Sequence, residues 1–195
     1  MKKQKLIFVA VIAVFLLSLF NIKTNAQSFE KGDVDLNLQI GFGTTWYYGS
    51  YYKASLPFIS VAGDYAMRDD WGPGVFGIGG LIGVSTYKYE YYWYGYGDYG
   101  WKETHFVIAP RATYHYQFFD KLDTYAGIIS GIKIVSEKAY GDWYAGYEPE
   151  SNAGAHFVFS AFAGVKYYFA KNISVMSEIY VYDIALFNIG IGFKF

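Results

Sequence analysis

The chain has no cysteine among its 195 residues. That excludes a disulfide framework, a thiolate metal site and a lipidated cysteine anchor. Charge is also scarce: Asp, Glu, Lys and Arg make up 17% of the chain, against about 25% in ordinary water-soluble domains. The net charge is −1 at pH 7, so no basic excess points to nucleic acid. One long apolar run exists, Leu6 to Phe20, and it falls short of the ~20 residues that a membrane-spanning helix needs. What is plentiful is aromatic: 22 Tyr, 17 Phe and 5 Trp, beside 22 Gly.

The apolar run has the build of a secretory signal. Lys2, Lys3 and Lys5 precede it, and Thr24-Asn25-Ala26 follows it with a small residue at its end. Cleavage after Ala26 is the expectation, giving a signal peptide over 1–26 and one mature domain over 27–195. Cleavage removes four lysines and no acid, so the net charge moves from −1 to −5.

The last strand alternates strictly. Phe187, Ile189, Ile191, Phe193 and Phe195 are apolar, and Asn188, Gly190, Gly192 and Lys194 between them are polar or small. Period-2 alternation puts one set on each face of a strand. The same pattern recurs over about Asp33–Phe42, Pro57–Met67, Val75–Lys88, Glu103–Phe118, Asp123–Val135, His156–Phe169 and Ile173–Tyr182. The phase is least clear in the fifth strand, where Lys133 is expected inward and Ile128, Ile132 and Ile134 outward. Pro110 interrupts the fourth, since proline removes a ladder donor. Connections alternate between long (Gly43–Leu56, Tyr89–Lys102, Ser136–Ala155) and short (Arg68–Gly74, Phe119–Leu122, Ala170–Asn172).

Large apolar faces, few charges and an export signal predict an all-β fold: an eight-stranded antiparallel up-and-down transmembrane β-barrel. Short periplasmic turns and long aromatic-rich extracellular loops would join its strands. Closure satisfies every backbone group in lipid. A secreted β-sandwich also has short alternating strands, but aromatic outer faces and the charge deficit disfavour it. With an even strand count both termini fall on one side, expected to be the periplasm, in the outer membrane of a Gram-negative bacterium.

On this strand pattern and the terminal Gly190-Ile191-Gly192-Phe193-Lys194-Phe195, the chain resembles the small eight-stranded outer-membrane barrels of the OmpA/OmpX type. The resemblance covers about 28–195 and marks a class of protein rather than an activity. It implies that Phe193 and Phe195 form the signal read by the outer-membrane assembly machinery. With the chain ending at Phe195, the peptidoglycan-binding domain that follows the barrel in some relatives is expected to be absent.

Two groups of residues are candidates for function. Asp35, Asp64, Arg111, Lys133, Lys166, Glu178 and Lys194 have inward parity and are expected to form a paired polar network in the lumen, because an unpaired buried ion is costly. Asp35 and Lys194 lie on strands that closure makes neighbours, and Lys166 and Glu178 flank one turn. The second group is aromatic: Trp46, Trp93, Tyr94, Trp101 and Trp143 in the long connections. Tyr and Trp give large contact area at low entropic cost, which suits a partner protein, a glycan or lipopolysaccharide. Alternatively, strands three and four extend past the membrane as a ribbon and these rings pack on one another.

The three histidines show no metal-ligand spacing, and no His–Ser–acid pattern is visible. No metal, cofactor or catalytic residue is therefore expected. The leading expectation is a non-enzymatic barrel with a structural or surface-interaction role, embedded in outer-membrane lipid and lipopolysaccharide. The alternatives are a narrow porin-like pore and a lipid A-modifying enzyme.

Overall fold

The computed structural model describes residues 29–43, 52–93, 97–119, 121–141, 150–182 and 184–195. The expected signal peptide and its cleavage point, Trp46, Tyr94 and Trp143 lie outside these residues. Eight strands follow in order: β1 (Val34–Phe42), β2 (Tyr52–Arg68), β3 (Val75–Trp93), β4 (Gly97–Phe119), β5 (Leu122–Gly141), β6 (Asn152–Ala170), β7 (Ile173–Tyr180) and β8 (Phe187–Lys194). Each pairs antiparallel with the next, and β1 pairs with β8, from Asp35↔Lys194 to Phe42↔Phe187, to close the barrel.

The barrel is built inside out. In β1 exposure alternates at every residue: Val34, Leu36, Leu38, Ile40 and Phe42 face outward while Asp35, Asn37 and Gln39 are buried. Asp35 and Gln39 meet polar partners across the lumen, Lys166 and Glu178, which offsets the cost of burying them. In β5 Lys133 is buried and Ile128, Ile132 and Ile134 are exposed, so the uncertain phase resolves as the lysine requires.

Pro110 does not break β4. It pairs with Gly80 on the β3 side, and on the β5 side the register is the same before it (Ile108↔Ile132) as after it (Arg111↔Ile129). Gly131 lies against this stretch. A Cβ there would collide with the Ile108 carbonyl and the Ala109 backbone, so glycine is what lets the strands close on each other beside the proline.

The short connections gather at the end where both termini of the barrel lie. Gly72 takes a φ of 93° between β2 and β3, and Lys121 a φ of 64° between β4 and β5. The Tyr114 hydroxyl donates to the Trp71 carbonyl (3.0 Å) and accepts from the Gly74 N–H (2.9 Å), tying the first of these turns to the outer wall. At the same end residues 29–33 fold back into the mouth, with Phe29 buried and the Gly32 N–H donating to the Ala66 carbonyl (2.9 Å).

At the opposite end the rim is uneven. Ile40 pairs with Ile59, and Ile59 with Val84. Past this level β1 runs two residues further, to Phe42, whereas β3 runs nine, to Trp93. The segment 89–102, expected as a long loop, is therefore mostly ribbon: β3 and β4 stay paired up to Trp93↔Gly97. Its tyrosines and tryptophans are good strand formers, and the strand ladder outcompetes the loop that their glycines suggest. Trp93 and Trp101 thus stand in strands, not in a loop.

Candidate functional site

The lumen network has one carboxylate at its hub. Glu178, on β7, accepts four hydrogen bonds: from the Arg111 Nη2 (2.9 Å), the Tyr125 hydroxyl (2.7 Å), the Tyr180 hydroxyl (2.8 Å) and the Gln39 Nε2 (3.1 Å). Arg111, on β4, also pairs through Nε with Asp64 at 2.9 Å, and its guanidinium lies 4.4 Å from the centre of the Phe162 ring. All three charged side chains are fully buried. An arginine fits between two carboxylates because its planar fork offers donors in several directions.

The pairing expected from strand adjacency is replaced by pairing across the lumen. Asp35 and Lys194 do stand opposite each other in the β1–β8 register, yet Asp35 is paired with Lys166 from β6. Lys194 pairs with Asp33 (3.3 Å) at the mouth. Glu178 binds Arg111 rather than Lys166. In a narrow barrel, inward side chains reach the far wall as easily as the neighbouring strand. Lys133 is buried on the inner face of β5, as expected.

Sequence reasoning missed the apolar half of the lumen. Phe58, Leu81, Val107, Ile129, Val158 and Phe162 are buried in one cluster that continues to Ile184 and Ala185 of the β7–β8 connection. No polar signal marks these positions, since an inward valine and a lipid-facing valine look alike in sequence. An apolar layer and an arginine clamp thus occupy the lumen of this narrow barrel.

A second polar cluster sits under the mouth beside Phe29. The His115 Nδ1 lies 2.8 Å from Asp123 and its Nε2 lies 3.1 Å from the Thr113 hydroxyl. Hydroxyl, imidazole and carboxylate follow one another as in a catalytic triad. All three residues are buried, however, and the Phe29 ring packs 4.2 Å from the imidazole. The other histidines lie elsewhere: His105 is buried near Glu103 (3.2 Å), and His156 is exposed on β6. Among the described residues no group of three His, Asp or Glu side chains is placed to hold a metal ion.

The wall above the rim, formed by β2 to β6, is the other candidate region. The inner side carries Tyr87, His105, Glu103 and Glu137, with Tyr87 and His105 rings 5.3 Å apart. Burial holds the Glu137 carboxyl above its usual range, and the facing Glu103 adds to the shift. Trp101 is half-buried on the same side. On β6 the outward Phe157 and Phe159 are 72% and 51% exposed. At the far terminus Phe193 is half-buried and Phe195 exposed, the latter held to Val34 by two backbone hydrogen bonds.

No family model matches the chain, and no curated protein matches it in sequence. Solved structures do resemble it. The outer membrane protein OprG from Pseudomonas aeruginosa superposes with a TM-score of 0.54 at 11% identity, over 88% of this chain and 99% of that one. Ail, the attachment invasion locus protein of Yersinia pestis, in complex with the heparin analogue sucrose octasulfate, superposes with a TM-score of 0.50 at 9% identity. That match covers 85% of this chain and 99% of Ail. At these identities the likeness is one of fold: the chain has the architecture of the small eight-stranded outer-membrane barrels.

Proposed function

We propose that this protein is a non-enzymatic surface barrel of the Gram-negative outer membrane, with its chain termini at the periplasm and its raised wall outside the cell. Its role is structural or interactive: the wall meets a partner protein, a glycan or lipopolysaccharide, and the lumen serves only to hold the barrel together. The observation that carries this reading is the uneven rim. Strands that need only ~9–11 residues to cross the membrane run to 23 residues in β4, and most of the excess is at the end away from the termini. Chain ordered at that length, rich in Tyr and Trp, suits recognition. Phe193 and Phe195 are the proposed assembly signal.

The filled lumen argues against a solute pore, and the Phe29 cover argues against lipid chemistry at the Thr113–His115–Asp123 cluster. Ail, a barrel of the same fold, has been crystallised with a heparin analogue, which makes sulfated and phosphorylated sugars the first probes to try. The test is purification of the tagged protein from its native outer membrane in mild detergent, with mass spectrometry of what accompanies it. A stoichiometric protein or glycolipid supports the reading. A bare barrel that conducts ions in planar bilayers would overturn it.

A further inference from the structure

The strand register places lysines side by side on the outer face of the wall. Lys88 of β3 stands directly opposite Lys102 of β4, and Lys102 directly opposite Lys138 of β5. By backbone register Lys53 of β2 is next in line, opposite Lys88. Directly opposed residues hold their Cβ atoms about 4.5–5.5 Å apart, and like charges so placed repel. Lys102 and Lys138 are exposed and Lys88 is half-buried. The carboxylates in the intervening inner row, Glu103 and Glu137, form no ion pair with these three lysines. The Lys88 ammonium rests 5.3 Å from the Tyr140 ring centre, and Gly100, opposite Tyr140 in the register, leaves that crossing open. A row of this kind attracts negative charge from its surroundings.

Its depth says what. Read up the same three strands, the outer face gives successive rows: Ile78, Ala112 and Ile128; Gly80 and Pro110; Ile82, Ile108 and Ile132; Val84, Phe106 and Ile134. These are the hydrocarbon band. Next come hydroxyls, Thr86, Thr104 and Ser136, with the two threonine oxygens 3.5 Å apart. The lysines are the next row, four residues beyond Val84, Phe106 and Ile134. At ~3.3 Å per residue and a tilt of about 40°, that is roughly 10 Å outside the hydrocarbon edge. The same tilt spreads the three lysines over about 6 Å of depth. This is the level of charged headgroups, and lysine stems lie easily along such a wall with the ammonium in the polar layer.

We propose that Lys88, Lys102 and Lys138 form a binding row for the phosphate groups of the glycolipid in the outer leaflet. The row fixes the barrel's height and surrounds its wall with bound lipopolysaccharide. The proposal rests on the outer-membrane reading and orientation given above, and names the ligand chemistry that one face of the wall takes.

The full protein in phosphatidylcholine nanodiscs tests it. There both membrane faces are open, so orientation does not enter. The probes are bisphosphorylated lipid A, the same lipid A without phosphate, and a soluble sulfated oligosaccharide. The wild type is expected to bind the bisphosphorylated lipid. The triple variant Lys88→Gln, Lys102→Gln, Lys138→Gln should bind it about 100-fold more weakly, taking each lysine near a charged surface at its ordinary strength. Lys171→Gln, in the short β6–β7 turn, should bind like wild type.

The triple variant should melt no lower than wild type in phosphatidylcholine alone, because the mutual repulsion is gone, so a folding defect is visible separately. Equal binding by wild type and triple variant, equal binding of both lipid A forms, or preference for the soluble sulfated sugar would each overturn the proposal. Orientation has its own readout: a membrane-impermeant amine reagent on intact cells should label Lys102 and Lys138 but not Lys171. Failure there refutes the topology and leaves the nanodisc result standing.

Discussion

Replacing Arg111 by methionine is the sharpest probe of the lumen. Methionine keeps much of the side chain's bulk but removes the cation between Asp64 and Glu178. Their carboxylates lie 2.9 Å from its Nε and Nη2, all three fully buried. Glu178 keeps three neutral donors, Tyr125, Tyr180 and Gln39, so most of its solvation survives. Asp64 loses its ion pair outright. Breaking a buried ion pair from one side costs about 3–5 kcal/mol, and the retained donors put Arg111→Met toward the lower end. Adding Asp64→Asn and Glu178→Gln removes both stranded charges, and the triple variant should recover most of the loss, since a neutral replacement of a buried ionic group is often close to neutral in stability. The assay is urea unfolding in lipid vesicles, followed by tryptophan fluorescence and by the gel shift of the folded barrel. A single-variant cost below about 1 kcal/mol, or a triple variant no more stable than the single, would refute the ion-clamp account.

Other consequences follow from the same geometry. Glu137→Gln should stabilise the protein at pH 7 by a few tenths of a kcal/mol, since Glu103 faces it across the β4–β5 ladder and burial raises its pKa. A raised carboxyl pKa costs stability as pH climbs through the unfolded and then the folded value, so the gain should vanish in thermal melts below about pH 4. Purified protein in planar bilayers should be silent, because an apolar layer and the Arg111 clamp fill the lumen; steady conductance that changes in Arg111→Met would contradict this. Thr113→Val should lower thermal stability, as it leaves His115 without one partner, yet leave the masses of co-extracted lipid A unchanged; a lipid species lost in the variant would make the Thr113–His115–Asp123 cluster an active site.

Strand number, order and facing were legible in the sequence wherever polar residues marked the inner face. Asp35, Asn37 and Gln39 made β1 unambiguous, and Lys133 alone set the phase of β5. The lumen charges were legible as a set but not as pairs. Which cation reaches Asp35 depends on barrel width and strand stagger, which no local pattern encodes, and so Lys166 rather than Lys194 holds it. The inward Leu81, Val107 and Ile129 were invisible because an apolar residue is at home on either face of a membrane barrel. The run of Tyr, Trp and Gly over 89–101 carried both strand and loop signals, and only the ladder between β3 and β4 decides between them. Phe29 as a cover for His115 had no signal at all: nothing in a lone aromatic ahead of the first strand says that the chain turns back into the mouth.

The lysine row was present in the sequence as scattered single lysines and emerged only from the register. Thr86, Thr104 and Ser136 beneath it and the isoleucine rows below those give the outer wall a graded polarity that follows the membrane normal. Gradation of this kind ties function to depth: hydrocarbon contact first, then hydroxyls at the interface, then cations at the headgroups, and aromatic ribbon beyond.

The proposed function gives recognition to the wall and support to the lumen. The measurement that tests this most directly compares two variants for retention of outer-membrane vesicles on immobilised heparin. In one, residues 89–101 are replaced by Asn-Gly, a two-residue turn that suits the directly opposed Lys88 and Lys102. In the other, the lumen clamp is neutralised by Arg111→Met, Asp64→Asn and Glu178→Gln. The trimmed wall should lose retention while the neutralised lumen keeps it. Retention that survives trimming but fails with the neutral lumen would contradict the proposed function.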